Sequence, residues 1–328
     1  MTKKYIIVTG SAGFIGYSLC KFLLKNYDYK IVGIDNINNY YDKKIKFDRI
    51  KDLNKNKKFI FFKIDISKYK KLNDIFLKFK PIYVINLAAQ AGVRFSIKNP
   101  DNYFKSNIVG FYNIITLSKK FNIKHFITAS TSSVYGENKK FPIKENFDIS
   151  KPIQFYAATK VSNEVIAHSF SYVYKLPITC LRFFTVYGPW GRPDMALFKF
   201  TKSILKKKPI EVFNYGNHLR DFTYIDDIVI SISKLLKVAP KKRNIPYRVL
   251  NIGHGNPVKL MKFIKLIEKN LGLKAKIKYK TLQKGDIKST HSNSNKLFKL
   301  IKYKPKTDTK LGIKKFIDWY KNYYAYKK

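Results

Sequence analysis

An α/β protein with a doubly wound parallel sheet and a smaller C-terminal α/β lobe is the fold class predicted by this 328-residue sequence. Short β-rich apolar runs alternate with amphipathic stretches, a glycine-rich loop follows the first run, and the alternation loosens after Pro189. Strands of a parallel sheet are covered by helices on both faces. They therefore read as near-continuous apolar runs joined by helical crossovers.

Tyr5 to Val8 anchors a first strand at 4–9, and GSAGFIG, Gly10 to Gly16, leads into a helix at 14–26. Further strands are expected at 30–35, 58–64, 82–87, 124–130 and 177–184, with helices near 70–79, 101–121 and 154–174 between most of them. Beyond Pro189 the pattern predicts a helix near 194–207, short strands around 210–213 and 247–252, helices near 226–238 and 258–271, and a last helix from about 309. The expected division is 1–185 for the sheet domain, with a return segment near 219–250, and 186–328 for the lobe. At 45% apolar residues the chain can bury cores for both.

The formal charge of +45 raises nucleic acid or an anionic membrane as partners. The lysines are spread over almost every segment, and arginine, the better residue for bidentate contacts, occurs only at Arg49, Arg94, Arg182, Arg192, Arg220, Arg243 and Arg248. A chain-wide compositional bias explains this better than a binding stripe, so no specific nucleic acid is expected, only salt-sensitive attraction of polyanions. No uncharged apolar run approaches the roughly 18–20 residues of a membrane span, and no cleavable leader is expected. Cys20 and Cys180 read as buried free thiols of a reducing compartment, the cytoplasm. No metal site is expected.

GSAGFIG sits between a strand and a helix, the context that makes a glycine pattern informative. Gly10 permits the tight turn, Gly13 lets backbone approach a pyrophosphate, and Gly16 allows close helix–strand packing, with Phe14 and Ile15 opening the helix whose free amides favour phosphate. Asp35 ends the second strand 19 residues after Gly16, where a carboxylate can accept from an adenosine ribose and would repel a 2′-phosphate. NAD is thus expected over NADP. Asp65 and Ile66, ending the third strand, are candidates for the adenine side or for a structural turn. Leu87, Ala88 and Ala89 would let backbone lie against the cofactor.

Tyr156 and Lys160 lie four residues apart on one face of a predicted helix. Alone this spacing says little in a chain rich in both, but it follows a strand ending in Ser130-Thr131-Ser132-Ser133. A phenol of ordinary pKa, about 10, must be favoured as its anion by roughly 4 kcal/mol to serve as a base near pH 7. Lys160 and a positive nicotinamide ring can supply that field. Thr131 would hydrogen-bond the substrate oxygen.

With those motifs the chain resembles the extended short-chain dehydrogenase/reductases of the nucleotide-sugar epimerase/dehydratase group, and within it the UDP-glucuronate 4-epimerases, over about residues 5–320. The stretches that carry the resemblance are NYYDKKIKFDRI at 39–50, AAQAGVRFSIKNPDNY at 88–103, SNIVGFYNI at 106–114, STSSVYG at 130–136, YAATK at 156–160, LRFFTVYGPWGRPDMALFKFTKSIL at 181–205 and RDFTYIDDIV at 220–229. The resemblance implies oxidation at sugar carbon 4 with Tyr156 as base, rotation of the 4-keto sugar and return of hydride, NAD being retained. It further implies a uronate carboxylate held by Ser132, Ser133, Thr185 and Arg192, Asn107 near the sugar, Arg220 at the diphosphate, and Lys199 and Asp286 around the nucleotide. Arg94 could face the cleft or serve structure. A homodimer joined through two helices per subunit is implied as well, and supply of UDP-galacturonate to a surface polysaccharide.

Some positions depart from the family pattern. Gly285-Asp286 is followed by Lys288, His291 and Asn293 where proline, an aromatic residue and aspartate are expected, and Asn86 replaces a usual histidine. Three other outcomes remain open: epimerisation of neutral UDP-glucose or UDP-N-acetylglucosamine, decarboxylation of UDP-glucuronate, and a non-catalytic NAD-dependent nucleic-acid binder. Dehydration would need Asp-Glu after Thr131, where Ser132 and Ser133 stand.

Overall fold

The computed structural model describes residues 4–283 and 285–326. Residues 1–3, part of the start read as leader-free, lie outside them. Strands β1 (Tyr5–Thr9), β2 (Lys30–Asp35), β3 (Phe59–Lys63), β4 (Tyr83–Asn86), β5 (His125–Thr131) and β6 (Ile178–Phe183) form one parallel sheet, joined at its edge by Tyr247–Ile252. The spatial order is Tyr247–Ile252, β6, β5, β4, β1, β2, β3. The chain builds outward from β1 to β3 and then returns to place β4 on the other side of β1. A crevice opens at the C-terminal ends of strands where the order reverses, which is where a doubly wound sheet binds its ligand.

Burial follows the period of two. Ile6 and Val8 join one apolar cluster with Leu19, Leu23, Ile228 and Ile232, whereas Ile7 joins another with Phe76, Phe111 and Ile114. Helix Ile225–Leu236 packs beside helix Phe14–Asn26 on the first face. Buried Glu164 and Arg182 pair at 2.7 Å and tie helix Phe155–Tyr174 to β6.

The helix expected at 101–121 is broken. Short helices Phe95–Lys98 and Pro100–Tyr103 precede a wide turn at Phe104–Val109, and a regular helix runs only from Gly110 to Lys120. A widened turn redirects the residues it carries. Here it turns Asn107 inward, where it bonds both the N–H and the carbonyl of Gln90. Helix Lys43–Leu53 is absent from the sequence expectation. Its buried face, Ile45, Lys46, Arg49, Ile50 and Leu53, has helical spacing but carries two cations, so an apolar period is hidden. Three strand pairs lie outside this sheet: Thr185–Tyr187 with Phe222–Tyr224, Ile210–Phe213 with Ile277–Lys280, and Leu219–Arg220 with Val258–Lys259. Among the described residues no helix is long and apolar enough to cross a membrane.

Candidate active site

A single cleft of about 1410 Å³ runs from the glycine loop to Asp286. Its floor at one end is backbone. Gly10 has φ +72°, and a Cβ there would come within 2.8 Å of the Ala88 nitrogen; one at Gly16 would overlap the Gly10 carbonyl. Thr9 donates to Asn86 at 2.6 Å and accepts from the Ala88 N–H at 3.2 Å, joining the ends of β1 and β4. Asn86 therefore serves as a strand-end brace. The Asp35 carboxylate accepts from Ala12 N–H at 3.1 Å and Ile37 N–H at 2.8 Å. Burial raises its pKa against those bonds and against the charge of Lys46.

These features fit NAD. The cradle has no room for side chains, the first turn of helix Phe14–Asn26 has no acidic residue to compete for phosphate, and Ser11 buries a hydroxyl without a partner. Arg49, fully buried, steadies this end: it donates to the Ala12 carbonyl at 2.8 Å and the Trp190 carbonyl at 2.5 Å, linking the glycine loop to the segment after β6.

Tyr156, Lys160, Thr131, Ser132, Ser133, Thr185 and Arg192 all line this cleft. Lys160 Nζ donates to the Ala129 carbonyl at 2.8 Å, and burial lowers its pKa to about 8. Burial raises the Tyr156 phenol, opposed by the charge of Arg192 and a hydrogen bond with Thr131. Arg192 is thus a cation acting on the base, in addition to the Lys160 and nicotinamide ring that the sequence offered for that part. Thr131 accepts from the Ser133 N–H and donates to its hydroxyl, each at 3.2 Å, so it also caps the turn Ser132–Tyr135. Arg192 spends Nε and Nη2 on Asp194 at 3.0 and 2.5 Å, and Asp194 also accepts from Tyr40 at 3.1 Å. Burial pushes the Asp194 carboxyl up, yet Arg192 outweighs it and holds it below the usual range.

At the far end Arg220 reaches Asp286 at 3.2 Å and Arg94 reaches it at 3.4 Å. Lys199 lines the wall between, with Phe14, Ile15, Ile66, Leu87, Ala88 and Ala89 along the near half. Two expected residues do not line the cleft. Asp65 accepts from Ser67 N–H and from Asn36, and it is Asn36 that reaches the wall. Asn107 is spent on Gln90 and Thr159 behind it. Sequence reasoning missed Tyr40, Lys46 and Asp194, which the stretches 39–50 and 181–205 contain, and His218, for which it offered no signal.

A family model described as "NAD dependent epimerase/dehydratase family" matches residues 6–253. The chain belongs to that family. Protein CapI of Staphylococcus aureus is 50% identical over 97% of this chain and 99% of its own. A UDP-glucuronate 4-epimerase of Thermodesulfobacterium geofontis is 40% identical over 97% of this chain and 96% of its own. Among solved structures, UDP-glucuronic acid 4-epimerase from Bacillus cereus, in complex with UDP-glucuronic acid and NAD, superposes with a TM-score of 0.91 at 35% identity over 98% of this chain and 100% of that one. As a member of the epimerase/dehydratase family, the protein is an NAD-dependent enzyme on a Rossmann sheet.

Proposed function

We propose that this epimerase interconverts UDP-glucuronate and UDP-galacturonate by oxidation and re-reduction at sugar carbon 4. The observation that carries the reading is the meeting of Tyr156, the Thr131-Ser132-Ser133 hydroxyls and Arg192 in one cleft with the glycine cradle. Similarity to UDP-glucuronate 4-epimerases over nearly the whole chain supports it.

Tyr156 takes the proton of the 4-hydroxyl, with Thr131 bonded to the same oxygen. NAD, when bound, supplies the hydride acceptor and a positive ring that favours the phenolate. That help matters because burial alone pushes the phenol the wrong way. The 4-keto uronate is a β-keto acid and loses carbon dioxide when its carboxylate bond aligns with the ketone π system. Ser132, Ser133 and Thr185 offer neutral donors to hold the carboxylate out of alignment, and Arg192 offers Nη1, the nitrogen not engaged by Asp194. Arg220 with Arg94 would meet the diphosphate, and Lys199 and Asp286 the nucleotide. Residues 1–185 with the return near 219–250 then serve the cofactor, and 186–328 the sugar nucleotide.

The pairing of Arg192 with Asp194 favours one second reading, a neutral UDP-glucose or UDP-N-acetylglucosamine as substrate, because it leaves the cation half-committed. Incubating the protein with UDP-glucuronate and following sugar protons by NMR separates the readings. UDP-galacturonate forming without added NAD is expected; a UDP-pentose with carbon dioxide, or turnover of neutral UDP-sugars alone, would overturn it.

We further place the enzyme in the cytoplasm as a homodimer. Both cysteines are buried and free. Tyr112 on helix Gly110–Lys120 and Val165, Tyr172 and Val173 on helix Phe155–Tyr174 are exposed, giving a second copy an apolar face to cover.

A further inference from the structure

We propose that His218 is a ligand-binding residue of the far end: it takes up a proton when a UDP-sugar diphosphate enters and then holds Asp286, releasing Arg220 and Arg94 to the phosphates. This rests on the reading of the cleft as a nucleotide-sugar site.

The geometry is a contest for two guanidinium groups. Asp286 receives Arg220 at 3.2 Å on one oxygen and Arg94 at 3.4 Å on the other. A diphosphate needs those same donors, and a carboxylate left beside it without a cation would repel it. His218 stands ready to take the carboxylate. Its ring lines the cleft, its side chain is 5% exposed, and Nε2 lies 3.9 Å from the Asp286 oxygen that faces Arg94. Nδ1 lies 3.3 Å from the Lys288 carbonyl. A carbonyl only accepts, so the neutral ring keeps its proton on Nδ1 and turns the bare Nε2 lone pair toward the carboxylate. Lone pair against carboxylate is a mismatch that one proton converts into a charge-assisted contact.

The groups around the ring set the direction. Burial and the positive charge of Arg220, on the adjoining strand Leu219–Arg220, hold His218 below its usual pKa, while Asp286 and the Lys288 carbonyl oppose them. Helix Leu260–Leu271 brings the Leu260 N–H to the His218 carbonyl, and Arg94 contacts the same Asp286 oxygen that lies nearest the ring. These groups therefore favour the neutral ring near pH 7, and an incoming dianion shifts it toward the charged form. The carbonyl that fixes the ring belongs to Lys288, in the segment that departs from the family pattern.

The test is calorimetric binding of UDP-glucuronate and UDP-glucose to the NAD-loaded protein carrying Tyr156→Phe, in buffers of different ionisation enthalpy, between pH 6 and 8. Uptake averaging about half a proton across this range is expected with both ligands, and with it a Kd roughly tenfold tighter at pH 6 than at pH 8. His218→Gln should bind with little uptake and a flat profile, and Asp286→Asn with reduced uptake. Binding without uptake, uptake retained in His218→Gln, or uptake with UDP-glucuronate alone would overturn the assignment while leaving the substrate reading intact. Failure of both ligands to bind would overturn the two together.

Discussion

The two ends of the cleft are built differently. The cofactor end is made of strand ends and the turn that follows β1, so its residues come from contiguous stretches: Gly10 to Gly16, Asp35, and Leu87 to Ala89. The far end is a knot of side chains from Arg94, His218, Arg220 and Asp286, brought together across up to 192 residues. In the reading proposed here, rigid backbone meets the cofactor, while charged side chains that share partners meet the sugar nucleotide.

Variants at the two ends should fail in different ways. The largest effect belongs to Tyr156→Phe between them, which should lower kcat by about 10²- to 10⁴-fold with NAD content and Tm unchanged. An undiminished rate would remove the phenol from the chemistry. Next, Arg220→Met should raise the KM for UDP-glucuronate by roughly 10- to 100-fold with kcat largely kept, since a charge-assisted contact contributes about 1.5–3 kcal/mol. A fall in kcat with KM unchanged would instead place Arg220 at the reacting carbon.

Two histidines sharpen the contrast. His125 lies inside the sheet, 2.8 Å from Thr179, and burial lowers its pKa to about 3. Its folded pKa is below its unfolded value of about 6.5, so the unfolded state binds the extra proton first and stability is lost as pH falls from 6.5 toward 3. At pH 5 the loss is about 2 kcal/mol, at 1.36 kcal/mol per unit. Thermal unfolding at pH 7 and 5 checks this: His125→Asn should flatten the dependence, and His218→Gln should not. Equal flattening by both would mean that pH acts on the far end through stability and not through the ligand. The smallest effect expected is at the cofactor end, where Asp35→Ala should weaken NAD by roughly tenfold, scored as cofactor retained through gel filtration. Full retention would mean that the glycine cradle alone holds NAD.

Local features were legible in advance. The six main strands fall within a residue or two of their expected positions, because each is an apolar run bounded on at least one side by a glycine, a polar cluster or a proline. Helix Lys43–Leu53 was not, since Lys46 and Arg49 occupy its inward stripe and their burial makes sense only with Asn38, Ala12 and Trp190 in place. Arg192 was legible as a cleft cation, but its half-commitment to Asp194 and its action on Tyr156 were not.

The amino-acid order by itself determined the alternating sheet, the glycine turn and the tyrosine–lysine face, because steric freedom and periodicity act over a few neighbouring residues. Only the tertiary structure decided which charges share a partner, which polar side chains stand behind the wall, and where a histidine faces a carboxylate. Those depend on distances between remote segments, and electrostatic balance in a cleft is set by distance and burial, which no spacing along the chain records.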